Sequence, residues 1–205
     1  MTVLSCNFGP VGVEYDDDVL TPRPWTLLQS ARAAQRLAHV PEGPLLEVHC
    51  GAGHIGQAAA AWSGNALVQL DDNPVCCEWA ARNARRNNLP ASIVCADVDA
   101  APVASGTCAL VLADPPYVPA RETARYPEDP RHAIDGGEDG LDGVRACLPT
   151  AERVLRSGGL LVLQVRGPRQ AKLVDALTRS AHPALEVADV VVVSRTRAVI
   201  ELLRT

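Results

Sequence analysis

The residues most able to do chemistry are Asp114, Pro115, Pro116 and Tyr117, which directly follow the apolar run CALVLA at 108–113. Two consecutive prolines impose a stiff, extended turn. That stiffness fixes the Asp114 carboxylate and the Pro115 carbonyl, both acceptors, around one point. Tyr117 adds a flat wall in a chain with seven aromatic residues. Two acceptors beside an aromatic face describe a receptor for a planar NH2 group. A strand terminator with an exposed tyrosine is the plainer alternative.

Three further loops carry polar groups at comparable positions. Glu47-Val-His-Cys-Gly-Ala-Gly-His-Ile-Gly56 has glycines at 51 and 53 that permit a tight turn and close approach of a ligand before a helix. Asp71 and Asp72 lie about 20 residues beyond it, the spacing of a carboxylate that binds ribose hydroxyls. They also stand where Asp72 or Asn73 would cap a helix with Pro74 in its first turn. Asp97 follows a third run, where it meets either a base edge or solvent.

These loops need a scaffold, and the hydrophobic pattern supplies one. Short apolar runs at 44–49, 66–70, 92–95, 108–113 and 159–165 read as strands. Segments 26–40, 73–88, 139–155 and 172–181 have helical spacing. Strands separated by helices mean βαβ units and a mostly parallel sheet. The last two runs, 187–193 and 198–203, are separated only by short polar residues, which predicts an antiparallel hairpin. In such a sheet, ligands bind at the carboxyl ends of the strands near the point where strand order reverses.

The stretch 115–140 lacks apolar periodicity and holds five of the 16 prolines. A loop of that length is functional or disordered. Its Arg121, Arg125, Arg131 and His132 interleave with Glu122, Glu128 and Asp129, either as a substrate lid or as a salt-bridged surface. Asp139 and Asp142 have a capping spacing ahead of the next helix. At the start, TVLSCNFGPVGVEY alternates like a hairpin turning at Gly9-Pro10.

The composition sets outer limits. With 205 residues and 47% hydrophobic residues, the chain is long enough for a real core. No run approaches a membrane span, and no secretory signal is apparent at the start. A net charge of -5 argues against a general nucleic-acid coat, and only Lys172 among the 19 basic residues is not Arg. The seven cysteines form no C-x-x-C, and the five histidines form no H-E-x-x-H. A disulfide scaffold and a zinc site are not expected, and free thiols suit the cytoplasm.

On these residues the chain resembles class I S-adenosylmethionine-dependent methyltransferases, and within them the HemK type, the glutamine-N5 methyltransferases of release factors. Val19-Leu-Thr-Pro-Arg-Pro-Trp-Thr26 resembles that family's D-V-L-I-P-R-P-E-T. Glu47 to Gly53 is similar to its cofactor loop, and Asp114 to Tyr117 to its N-P-P-Y. Pro130, Ala133, Asp135-Gly-Gly-Glu-Asp-Gly-Leu-Asp142 and Arg145 resemble the segment after that tetrapeptide. The resemblance implies a Rossmann-like seven-stranded α/β sheet over 25–205, with 1–24 as an N-terminal arm or hairpin. It implies S-adenosylmethionine held by Glu47, His49, Cys50, Gly51, Gly53, Asp71, Asp72, Asp97, Val98 and Asp114. Catalysis would fall to Asp114, Pro115, Pro116 and Tyr117, without a metal.

Three departures bear on the acceptor. Asp114 stands in place of Asn, which resembles enzymes acting on nucleobase amino groups. His49 replaces the first glycine of the cofactor loop, where it crowds or contacts the cofactor, or else turns away and packs. The helical domain that engages release factors lies outside this sequence. The acceptor is then a protein glutamine, a nucleobase in RNA or a small molecule, and a partner protein could supply recognition. A non-catalytic partner subunit of the same fold is the alternative that His49 supports and the intact D-P-P-Y opposes.

Overall fold

The computed structural model describes residues 2–205. An N-terminal hairpin, β1 (Leu4–Phe8) and β2 (Val11–Tyr15), turns at Gly9-Pro10. The main sheet contains β3 (Leu45–Val48), β4 (Leu67–Asp71), β5 (Ala91–Cys95), β6 (Cys108–Ala113), β7 (Leu155–Val165), β8 (Leu185–Ser194) and β9 (Arg197–Arg204). Its order is β5-β4-β3-β6-β7-β9-β8. The first five of these strands in chain order run parallel, and β9 pairs antiparallel with both β7 and β8. The helices are α1 (Leu27–Leu37), α2 (His54–Ser63), α3 (Pro74–Arg86), the single turn α4 (Arg131–Ile134), α5 (Asp142–Val154) and α6 (Gly167–Ala181).

The parallel sheet and the closing hairpin agree with the hydrophobic pattern. All of β3 and β6 is buried, as expected of strands covered on both faces. One core lies on the face of α5 and α6, with Val111, Leu161, Val144 and Val174; the other lies under α1, α2 and the N-terminal hairpin, with Phe8, Val13, Leu110 and Val162. The order reverses between β3 and β6, so their carboxyl ends open a crevice.

The N-terminal hairpin is bound to α3 by side chains. Asn83 Oδ1 accepts from the Glu14 N–H at 2.8 Å while its Nδ2 donates to the Glu14 carbonyl. Asn87 brackets Gly12 in the same way. Each amide thus stands in for a missing neighbouring strand.

One alternative is removed and one expectation corrected. The stretch 115–140, functional or disordered by its sequence, is ordered: it folds into a short 3-10 segment, Ala120–Arg125, and α4, with Val118 bridging Asp135. Asp139 and Asp142 do not cap α5, whose preceding residue is Leu141. Asp139 accepts from the Leu141 N–H, and both acids pair with Arg145 instead. Asn73, by contrast, does cap α3, accepting from the Val75 N–H at 3.0 Å.

Candidate active site

The D-P-P-Y turn is built from three sides. Gln29 of α1 donates to the Ala113 carbonyl at 2.7 Å and to the Val162 carbonyl at 3.1 Å, holding the end of β6 against β7. Gln170 of α6 donates to the carbonyls of Tyr117 and Gly140, each at 3.0 Å. The glycine-rich segment then packs directly underneath. A Cβ at Gly136 would sit 2.7 Å from the Pro116 carbonyl, and one at Gly143 would sit 2.7 Å from Pro115 Cβ. That explains the D-G-G-E-D-G-L-D motif: it is the bed of the turn, and only glycine allows the approach.

The turn faces a cavity of about 240 Å³. Asp114, Pro115, Pro116 and Tyr117 all line it, as the sequence predicts. Asp114 Oδ1 is buried and has no hydrogen-bond partner. Burial pushes its carboxyl up to about 7. The Tyr117 hydroxyl is held well above its ordinary range, first by burial and then by the nearby Asp114 charge.

The remaining walls were not read from the sequence. Trp25, Tyr126, Arg23, Arg166 and Arg197 also line this cavity. They come from the segment before α1, the 115–140 stretch, the end of β7 and the start of β9. The signals available were the Val19–Thr26 stretch, whose family resemblance includes Arg23 and Trp25, and the tryptophan itself, since a large aromatic has no reason to stand in a polar turn unless it packs. Arg121, Arg125 and Arg131 do not line the cavity, so of the two readings of this stretch, lid or salt-bridged surface, the second holds for them. Arg125 pairs with Glu122 and Arg131 with Asp135, both on the surface. His132 instead contacts Asn73, 3.1 Å away, joining α4 to the loop after β4.

The glycine loop lies on the other side of the crevice. Asp71 Oδ2 accepts from the Gly51 N–H at 2.8 Å and Oδ1 from the Asn73 N–H at 3.0 Å, so one carboxylate ties two loops together. Burial raises its pKa and those two donors oppose the rise. Glu47 is buried under α2, accepting from the Gly56 N–H at 3.0 Å and from Gln69. Burial outweighs both donors and pushes it up to about 8. Cys50 is buried beside them and Gly53, at φ 80, caps α2. A second hollow of about 250 Å³ is lined by His49, Asp72, Asp97 and Val98, among others.

His49 therefore does not turn into the core. It adopts φ 54, the left-handed conformation that suits the glycine it replaces, and forms part of the hollow's wall. Its Nε2 is buried without a partner, and burial lowers its pKa against the opposing charges of Asp71 and Asp72.

These residues fit an adenosyl group. A carboxylate with spare lone pairs stands at Asp71, a hollow with Asp72 and Asp97 lies beside it, and the buried Nε2 of His49 lacks a partner in its wall. The loop itself is open, since a Cβ at Gly51 would meet nothing nearer than Val19 at 3.9 Å.

Comparison with known proteins agrees with this geometry. Residues 29–126 match the family model of the methyltransferase small domain. The chain is 33% identical over 186 residues to a release factor glutamine methyltransferase of Mycolicibacterium smegmatis, covering 85% of this chain and 64% of that one. It is 44% identical over 108 residues to the 4-amino-L-phenylalanine/4-methylamino-L-phenylalanine methyltransferase of Streptomyces pristinaespiralis, covering 49% of this chain and 37% of that one. The chain spans about six-tenths of the length of the release factor methyltransferases it matches. In fold it is similar to a methyltransferase from Pyrococcus furiosus, with a TM-score of 0.68 at 18% identity, covering 95% of this chain and 89% of that one.

Proposed function

We propose, from the premise that this chain is a HemK-like methyltransferase domain, that it transfers a methyl group from S-adenosylmethionine to a planar amide or amino nitrogen. The observation that carries this reading is Asp114 Oδ1, buried and unpartnered at the carboxyl end of β6, where Asp114 and Pro115 both line the cavity.

Asp71, Asp72, Asp97, Val98 and His49 would hold the adenosyl part, and the Gly51–Gly53 loop would border the rest. Bound there, S-adenosylmethionine supplies an electrophilic methyl group on a sulfonium leaving group. Glu47 acts one step back, clamping the N-terminus of α2 through the Gly56 N–H. An amide or aromatic amine is a weak nucleophile because its lone pair is delocalised. Hydrogen bonds from the NH2 group to Asp114 and to the Pro115 carbonyl orient it and favour a pyramidal nitrogen. Tyr117 holds the planar group by stacking. The nitrogen becomes cationic as it is methylated, and Asp114 Oδ1 then takes the proton it sheds. A carboxyl near pH 7 suits that exchange.

A protein glutamine is the acceptor suggested by the relatives matched over most of the chain, and a partner that presents it belongs to that reading. An aromatic amine is suggested by the 44% identical relative, and Trp25, Tyr117 and Tyr126 around the cavity favour it. The free thiols favour a reducing compartment such as the cytoplasm for this reaction. No helix among the described residues is long and apolar enough to cross a membrane.

Calorimetric titration with S-adenosylhomocysteine tests the premise. Micromolar binding that Asp71→Ala abolishes supports it, and no binding to the wild-type chain refutes it.

A further inference from the structure

Three arginines line the acceptor cavity, and they are not equivalent. Arg23 is paired with Asp129, and Arg166 with Glu122 at 2.8 Å. Arg197 makes no ion pair among the described residues, although it is only partly exposed. Its guanidinium lies 3.7 Å from the centroid of the Trp25 ring. Stacking restricts such a group to one plane while its N–H donors stay free at the edge. Trp25 Nε1 is buried in the same wall, on the side of the Tyr117 hydroxyl. The cavity's acids do not answer this charge: Asp129 is tied to Arg23, and Glu128 is exposed at the rim and pairs with neither Arg166 nor Arg197.

The cavity is thus polarised. Asp114 offers acceptors, Trp25, Tyr117 and Tyr126 supply aromatic walls, and Arg197 offers donors with a full positive charge. At about 240 Å³ it is below the usual span of small-molecule sites, roughly 300–1,000 Å³. That volume matches one ring with short substituents.

Resting on the methyltransferase reading, we propose that Arg197 binds a carboxylate on the methyl acceptor, so that the preferred substrate is a small aromatic amine bearing a carboxylate. The amine end meets Asp114, the ring lies against Trp25 and Tyr117, and the carboxylate pairs with Arg197. A protein glutamine side chain carries no such anion and leaves Arg197 without a role. The indole covers one face of the guanidinium, and a cation partly shielded from water pairs more strongly with an anion.

The test compares 4-amino-L-phenylalanine with its carboxamide, which keeps the aromatic amine and loses the carboxylate. Methyl transfer is measured for the wild-type chain, Arg197→Gln and Arg197→Lys, with S-adenosylhomocysteine affinity and thermal melting recorded for each. The wild type should prefer the acid in kcat/KM by about 10- to 100-fold, the range of one charge-assisted contact. Arg197→Gln should collapse that preference, chiefly through KM for the acid, and Arg197→Lys should restore part of it. Three outcomes overturn the proposal while S-adenosylhomocysteine still binds. They are equal use of acid and carboxamide, methylation of neither, and preference for a glutamine peptide over both. Loss of S-adenosylhomocysteine binding by the wild type would overturn the methyltransferase reading itself.

Discussion

Asp71 and Asp114 end neighbouring regions of one crevice, and their surroundings differ in kind. Asp71 receives two backbone N–H groups, from Gly51 and Asn73. Asp114 receives none at its buried Oδ1. Burial raises both carboxyls, but only at Asp71 do donors of the chain itself oppose it. The proposed cofactor side is therefore a braced loop, in which the carboxylate has a structural task beside the binding one proposed for it. The acceptor side keeps its carboxylate unsatisfied, a strain that a donor on the substrate relieves.

The largest effect that could break this comparison is on turnover. Asp114→Ala should lower kcat by about 100- to 1,000-fold, the range for one transition-state acceptor or donor, while S-adenosylhomocysteine still binds. A comparable loss of cofactor affinity would show that the two regions are not separate. Asp71→Ala should act the other way. It frees two backbone N–H groups and is expected to destabilise the fold by about 1–3 kcal/mol, seen in chemical denaturation, with cofactor affinity falling alongside.

The pH profile sharpens the difference. Since the Asp114 carboxyl titrates near 7, kcat/KM should rise with pH up to about 7 and then level off. Asp114→Asn should flatten that limb. The same shift has a stability consequence of defined sign. The folded-state pKa is raised, so folding favours the protonated form. That contribution is complete below the ordinary carboxyl range near 4 and is lost as pH rises through about 7. Asp114→Asn should therefore melt higher than the wild type at pH 8, by about 2–4 °C for each kcal/mol relieved, with the gap closing toward pH 4.

The smallest effect concerns His49. A non-glycine residue at φ 54 is strained, so His49→Gly should stabilise the fold by about 1 kcal/mol against thermal melting. No change would mean that contacts in the hollow offset the strain.

Much of this site was legible because it lies where strands end. Periodicity located β3, β4, β5 and β6, and the residues at or just beyond their ends, Asp71, Asp97 and Asp114, followed from the rule that ligands gather at carboxyl ends, while Glu47 followed from the family resemblance. The hairpin of β8 and β9 was legible because four residues cannot hold a crossover. Of the two readings of the Arg-rich stretch, lid or salt-bridged surface, the structure takes the second, for a physical reason. Charges close in sequence within a short folded loop satisfy one another, as Arg125 with Glu122 and Arg131 with Asp135 show.

The sequence by itself determined the sheet, the turn chemistry and the two acceptors at Asp114 and Pro115, since these depend on local spacing and on proline stiffness. Only the tertiary structure decided what faces them. Trp25, Arg166 and Arg197 are brought to one cavity by α1, β7 and β9, from positions up to 172 residues apart in the numbering. Which of the arginines remains free depends on whether Asp129 and Glu122 reach it. Long-range ion pairing of that kind leaves no period in a sequence, because it is set by the packing of whole elements rather than by the neighbours of any one residue.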